Sequence, residues 1–183
     1  ALAQAKYNYE RMDEPNPHHV LAYFDCLARS KDAKSRASEM ERLIDELKKI
    51  NTRKSAEMAG IAEADYTSIV RSNPSEALRL LDSAKPSGGR IGALMLERKF
   101  GIYEKIPNID GMSATAEEYK SVMSSENVAE KNSLTIMRAK LLAHGGSLDP
   151  AVQLIRSELR FYTEAARERL IEHLTKVSRG VKI

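Results

Sequence analysis

The sequence predicts an all-α protein built from antiparallel helical hairpins, with about nine helices in total. Apolar residues recur at spacings of three and four along most of the chain, which is typical of helices that bury one face. Capping residues, prolines and glycine pairs separate these stretches. No stretch shows the sustained alternation of apolar and polar residues that a strand requires. We expect residues 1–183 to form a single domain, as a fragment of a longer chain or after processing.

Composition favours a soluble, folded chain. Hydrophobic residues make up 42% and charged residues 30% of the sequence, a balance that excludes an intrinsically disordered protein. Aromatic residues contribute only 5%, so the core must consist of Leu, Ile, Met and Ala, which favours helices over a β-sandwich. No apolar run approaches the roughly 20 residues of a membrane span. One cysteine, Cys26, excludes an intramolecular disulfide, and a net charge of +3 is too small to indicate nucleic-acid binding by itself.

The first residues leave the location open. Ala1-Leu2-Ala3 has the small-x-small form that precedes a signal-peptidase cleavage site, but the basic and apolar regions of a signal peptide are missing. We expect a cytoplasmic protein, with an exported, periplasmic or organellar location after processing as the alternative.

Two helices are predicted before residue 30. A short helix covers the first residues, and the next begins at Asn16-Pro17, where a capping side chain precedes a proline that has no N–H to leave unpaired. From His18 to Arg29, the side chains of Val20, Phe24 and Leu27 share one face. We expect this face to enter the core.

The clearest amphipathic helix follows at 39–50. Acidic and basic residues fill one side of it, with the acidic residues early and the lysines late, which suits the helix dipole. This pattern predicts an outer helix that is half exposed to water. Its apolar stripe consists of Met40, Leu43, Ile44, Leu47 and Ile50.

The next helix is capped by Asn51 and Thr52, and small residues on one side predict close packing. That side consists of Ala56, Ala59, Ala62, Tyr66 and Ile69. A further helix starts at 73–76, where Asn73 precedes a proline and Glu76 is placed to complete a capping box. Its buried face consists of Ala77, Leu78, Leu81 and Ala84, and the breakers Lys85-Pro86-Ser87-Gly88-Gly89 end it.

A helix from Arg90 to Ile106 is apolar on more than one side, so we expect it to lie between neighbours. Pro107 to Met112 is predicted to be a loop. Thr115-Ala116-Glu117-Glu118 is the form of a capping box and predicts the start of a short helix. Asn127 is placed to cap the helix after it.

The second half of the chain contains a complete helical hairpin. Its first arm carries Leu134, Met137, Leu141 and Leu142 on one face and ends at Gly145-Gly146. Asp149-Pro150 is interpreted as the cap of the second arm, whose inner face carries Val152, Ile155 and Leu159. Ala139 and Ala151 are small where the two arms would cross. A last helix, with Leu170, His173 and Leu174 on one face, ends near Arg179-Gly180.

Small and large residues recur in these hairpins at characteristic offsets. Ala77, Leu81 and Ala84 have the small, large and small spacing of the second helix of a tetratricopeptide repeat, and Ala139 and Ala151 stand twelve apart, as the two small packing positions of that family do. Over about two hairpins the sequence therefore resembles a tetratricopeptide-like array. The resemblance implies a short right-handed α-solenoid whose concave face binds a protein or peptide.

Residues with catalytic or metal-binding chemistry are few and poorly spaced. The adjacent His18 and His19 point about 100° apart on a helix and cannot easily share one metal ion. Glu164, Glu168 and Glu172 have arginines as neighbours, so a solvated ion-pair surface is the simpler interpretation. We therefore predict no enzyme activity, no cofactor and no metal site.

The family resemblance also suggests where a partner binds. In tetratricopeptide-like arrays the first helix of each hairpin lines the concave face, which points to exposed polar positions around 90–105 and 131–140. We select Arg98, Lys99, Asn132 and Arg138 as groups able to hold the carboxylates or main chain of a protein or peptide partner.

Two alternative functions follow from the same sequence. An RNA-binding helical repeat would use the basic cluster Lys48, Lys49, Arg53 and Lys54, which lies at the ends of neighbouring helical arms. An all-α accessory domain of a larger enzyme would carry no active site of its own.

Overall fold

The computed structural model describes residues 1–11, 14–84 and 88–180. Across these residues the protein is all-α and 79% helical, with ten α-helices, one 3-10 helix at Ala33–Arg36 and no strand. The all-α class is confirmed, the stacking of the hairpins as a solenoid stays a prediction, and the expected number of about nine helices is one too few. The α-helices are α1 (Leu2–Glu10), α2 (Pro17–Ala28), α3 (Ala37–Lys49), α4 (Arg53–Ile69), α5 (Pro74–Ser83), α6 (Gly89–Lys105), α7 (Ile109–Val122), α8 (Val128–His144), α9 (Leu148–Glu158) and α10 (Glu164–Ser178).

The chain divides into two compact units, which we call unit 1 (Ala1–Ser87) and unit 2 (Gly88–Ile183). Unit 1 contains α1 to α5 and the 3-10 helix, and unit 2 contains α6 to α10. The single domain expected from the sequence stays a prediction. Among the described helices, none is both long and apolar enough to cross a membrane.

Helix α4 is the central element of unit 1, because α2, α3 and α5 all pack against it. It buries side chains around most of its circumference, including Met58, Ile61 and Tyr66. The sequence predicted one buried side only, and Ala56, assigned to that side, is exposed. A helix with three neighbours has no single apolar stripe, which is why the periodicity was misleading here.

Helix α3 buries the apolar stripe that the sequence predicted. Met40, Leu43 and Leu47 are fully buried. The opposite side is not simply solvated, because its glutamates accept hydrogen bonds from tyrosines of other helices. Tyr9 donates to Glu46 at 2.6 Å.

The same contact occurs twice more on α3. Tyr66 of α4 donates to Glu41 at 2.5 Å, and Tyr23 of α2 donates to Glu39. The bond to Glu41, together with burial, raises the pKa of Tyr66 above its ordinary value. Three helices are therefore joined to α3 by a neutral hydroxyl and a carboxylate.

Most predicted helix starts in unit 1 are confirmed. The Asn16 side chain accepts from the backbone N–H of His18 at 3.0 Å, and Thr52 forms a reciprocal capping box with Ser55. Asn73 accepts from the N–H of Glu76 at 3.1 Å. The Glu76 carboxylate binds Arg79 instead of reaching back to the cap.

Unit 2 contains two apolar clusters. The first joins α6, α7 and α8 through Phe100, Met112, Tyr119, Leu134 and Met137. The second joins α8, α9 and α10 through Ala139, Ala151, Ile155, Leu159 and Leu174. Since α8 contributes to both, it is the element on which unit 2 is assembled.

The loop predicted at Pro107 to Met112 is wrong, because α7 begins inside it. The Asn108 side chain caps α7 by accepting from the N–H of Gly111 at 2.8 Å. Thr115 is therefore a buried residue within the helix and not a cap. Gly111 lets α7 lie close to α6, since a Cβ there would stand 2.6 Å from the Tyr103 ring.

The start of the second hairpin arm is also corrected. Helix α9 begins at Leu148 after Ser147, so Asp149 lies in the first turn and is not the cap. A carboxylate in the first turn still suits the helix dipole. The close crossing is confirmed, because Ala139 and Ala151 are both fully buried in one cluster.

The predicted breaker segment Lys85-Pro86-Ser87-Gly88-Gly89 lies only partly within the described residues. Residues 85–87 are outside them. Gly88 has a φ of +80° and precedes α6, and Gly89 is its first residue. A positive φ favours glycine because a Cβ would be strained there.

Candidate functional site

The four predicted partner-binding residues occupy different environments on α6 and α8. Arg138 is exposed, and Arg98 and Lys99 are half-buried. Asn132 is only 7% exposed, so the expectation of an exposed polar group is wrong at this position. A role in partner binding stays a prediction for the other three.

Asn132 instead holds a segment of unit 2 in place. Its amide Nδ2 donates to the backbone oxygen of Arg160 at 2.9 Å, and its Oδ1 accepts from the backbone N–H of Arg160 at 3.1 Å. Both polar atoms of the Asn132 side chain therefore bond to the backbone of a single residue, Arg160, which lies 28 positions later in the chain. A mid-helix asparagine gives no sequence signal for such a contact.

Arg160 belongs to the short connection between α9 and α10, residues 159–163, which we call the aromatic linker. Leu159 anchors its start in the second apolar cluster and is 1% exposed. Arg167 donates from Nη2 to the backbone oxygen of Leu159 at 2.8 Å. At the other end, Thr163 caps α10 by accepting from the N–H of Ala166 at 3.3 Å. The linker is held at its start, middle and end.

Phe161 lies at the centre of this linker and points into solvent. It is 90% exposed, more than any other large apolar side chain that the structure describes. Its φ is +59°, a left-handed conformation that is a genuine outlier for a bulky residue. The neighbouring Tyr162 is 37% exposed. The arrangement presents an aromatic pair on a fixed backbone.

A second group of residues, ionisable and half-buried, joins three helices of unit 2. Glu104 of α6 accepts from Lys140 of α8 at 2.7 Å and from Nε2 of His173 of α10 at 2.9 Å. The three side chains are 12%, 19% and 28% exposed. Burial opposes ionisation of Glu104, but the hydrogen bonds and charges of His173 and Lys140 outweigh it and lower its pKa to about 2.

His144 lies one helical turn beyond Lys140. Burial lowers its pKa, so the ring is neutral near pH 7. Its Nε2 is shielded from water and has no hydrogen-bond partner among the described residues. Because a general acid or base must reach the substrate, this shielded nitrogen is poorly placed for proton transfer.

No pattern in the sequence pointed to this cluster. Glu104 and His173 are 69 residues apart, and the apolar face on which the sequence places His173 does not identify Glu104 as its partner. In the part of the chain that the structure describes, no group of three or more His, Cys, Asp and Glu side chains is placed to hold a metal ion.

The basic residues of the RNA-binding alternative are partly neutralised. Lys48 binds Glu63 at 2.5 Å, and Arg53 binds Glu57 at 3.2 Å. Lys49 and Lys54 are exposed. Two of the four charges are therefore already paired with carboxylates of α4.

No family model matches this chain, and no match was found among curated proteins or among solved structures. The tetratricopeptide-like resemblance accordingly stays a prediction.

Proposed function

We propose that this protein is a non-enzymatic helical-repeat scaffold that binds a protein or peptide partner, with its hairpins stacked as a short right-handed tetratricopeptide-like solenoid. The observation that carries the proposal is Phe161, a fully displayed aromatic ring on a backbone that three separate contacts hold. The concave face with Arg98, Lys99 and Arg138 remains part of the proposal.

The physical argument compares the free-energy cost of holding Phe161 exposed in a left-handed conformation with the gain from burying its ring against a partner. A bulky side chain in the left-handed region costs roughly 1 to 3 kcal/mol, and an exposed ring gains nothing from burial. Burying it against a partner would gain about 1.5 to 3 kcal/mol. Because the linker is already ordered, little conformational entropy would be lost on binding. Exposed, preorganised aromatic residues are typical energetic centres of protein interfaces.

Binding of RNA has less support. Lys48 and Arg53, half of the basic set proposed for it, are paired with glutamates. A phosphate would have to displace those carboxylates.

A selection from a displayed library of random peptides tests the proposal. The wild-type chain should enrich specific peptides, and Phe161→Ala should weaken their binding about tenfold or more, which corresponds to 1.4 kcal/mol. Tyr7→Ala is the matched control, since Tyr7 is the exposed aromatic of unit 1 at 47% exposure. It should leave binding unchanged. Enriched peptides that bind Phe161→Ala as tightly as wild type, or no enrichment at all, would overturn the proposal.

A further inference from the structure

We infer that the surface around the aromatic linker recognises an acidic segment of a protein partner, in which an apolar side chain packs on Phe161 and Tyr162 while carboxylates bind Arg160 and Lys131. This inference rests on the proposed function and adds the chemistry of the partner. Aromatic residues and arginine are the residue types most enriched at the centres of interfaces.

Arg160 provides the first cation of this surface. Its backbone is fixed by Asn132, but its side chain is exposed and has no ion-pair partner among the described residues. An arginine with a fixed backbone and a solvated guanidinium can bind a carboxylate through two parallel hydrogen bonds. Asn132 is thus a positioning residue for Arg160.

Lys131 provides the second cation. It precedes Asn132 in α8, and the bonds from Asn132 to Arg160 bring the backbone of the linker beside this turn of α8, a region that we call the corner. The Lys131 side chain is exposed and likewise unpaired within the described residues.

The acidic residues near the linker are mostly engaged. Glu164 binds Arg167 at 3.5 Å, and Glu168 binds Arg156 at 3.7 Å. Glu158 is the remaining exposed carboxylate at this corner. The side chains without an ion-pair partner therefore give this surface a net positive charge, which favours an acidic partner.

Glu158 also helps to decide between a peptide and a nucleic acid. A peptide can place its carboxylates beside Arg160 and Lys131 and keep Glu158 opposite a neutral residue. A single strand of RNA carries a phosphate at every nucleotide, so it cannot easily avoid Glu158, which precedes the linker.

The same displayed library, selected on full-length charge variants, tests the inference. Wild type should enrich peptides in which an aromatic or aliphatic residue is flanked by Asp or Glu. The double variant Arg160→Glu with Lys131→Glu should bind these peptides about tenfold more weakly, which is 1.4 kcal/mol, and should enrich basic sequences instead. Lys31→Glu is the control, since Lys31 is an exposed lysine of unit 1 that belongs to neither proposed binding surface. Circular dichroism of each variant verifies that it folds.

A substitution that adds positive charge to the same surface provides a second test. Glu158→Lys should tighten binding of the acidic peptides, because it replaces with a cation a carboxylate that has no ion-pair partner among the described residues. Binding of the acidic peptides should weaken as salt rises.

The outcomes separate the two proposals. Enriched peptides that depend on Phe161 but show no acidic preference would overturn this inference and leave the proposed function standing. No enrichment by wild type would overturn both. Tight binding of a labelled oligouridylate that is lost in the double variant would identify RNA as the ligand and overturn the inference.

Discussion

Unit 1 joins α1, α2 and α4 to α3 through three tyrosine hydroxyls that donate to glutamates, and its α3–α4 ion pair between Lys48 and Glu63 is exposed. Unit 2 has one such tyrosine contact, Tyr119 to Glu97, and places the half-buried Glu104 carboxylate between a lysine and a histidine. The first kind of contact pairs a neutral donor with a charged acceptor. The second needs opposite charges on both sides. Polar contacts of these two kinds respond differently to pH, although both units are all-α and have apolar cores of similar composition.

The two units also differ in what they show to solvent. Among the described large apolar side chains, Tyr7 is the exposed one in unit 1. Unit 2 exposes Ile106, Ile109, Phe161 and Tyr162. The comparison predicts that unit 2 is the more acid-sensitive unit and the one that carries the partner surface.

Truncation of a buried apolar side chain should cause the largest loss of stability. The loss should be similar in both units, because we expect the units to differ in their polar contacts and not in their apolar cores. Leu81→Ala in unit 1 and Ile155→Ala in unit 2 should each lower the free energy of unfolding by about 2 to 5 kcal/mol, because both residues are buried and leave cavities. Chemical denaturation measures both. Leu80→Ala, at a half-buried position of the same helix, should cost less than Leu81→Ala. A loss below about 0.5 kcal/mol at Leu81 would mean that this face of α5 is exposed.

Glu104→Gln tests the charged contact of unit 2. The Glu104 pKa falls from 4.5 to about 2 on folding, so ionisation of Glu104 contributes on the order of 3 kcal/mol of stability. A lowered pKa stabilises the fold above the unfolded value of 4.5, and this contribution is lost as pH falls toward about 2. The variant should therefore be less stable at neutral pH and should approach wild type in acid.

The control for this prediction is Glu172→Gln, which breaks an exposed pair with Lys176 on α10 and should change stability little. Denaturation curves at stepwise lower pH provide the measurement. Equal stability of Glu104→Gln and wild type at neutral pH would contradict the prediction that unit 2 depends on this charged contact.

The smallest expected loss of stability concerns a tyrosine–glutamate contact of unit 1. Tyr66→Phe deletes the hydroxyl that donates to Glu41 and should cost about 1.5 to 3 kcal/mol, with the lower end expected for a partly exposed carboxylate. Because the pKa of Tyr66 is raised, its contribution is complete below the ordinary tyrosine value and is lost as pH rises through the folded value. The variant should therefore lack the loss of stability that wild type shows as pH rises through the folded Tyr66 pKa. An equal loss in alkali for the variant and wild type would contradict this assignment.

Local signals predicted much of the fold but little of the candidate site. The caps at Asn16, Thr52 and Asn73 were predictable because a cap and the N–H groups it binds lie within three residues. The start of α7 was missed because Pro107 masked the neighbouring cap Asn108.

The candidate site depends on distant contacts. Asn132 looks like a surface residue until the chain returns to it at Arg160. Glu104 gains its role only when α8 and α10 pack beside α6, and neither spacing nor periodicity predicts which helices meet. Phe161 gave no signal at all, since a single phenylalanine between two helices is expected to be buried.

The contact between Glu104 and His173 has a consequence for the order of events during synthesis. It spans most of unit 2, and α10 is the last helix of that unit to leave the ribosome. Until it does, Glu104 has Lys140 as a partner but lacks His173, and the sides of α8 and α9 that pack against α10 stay open to water. The described helices of unit 1 are complete by residue 84. The nascent chain can therefore finish unit 1 while unit 2 still presents apolar helix faces to chaperones.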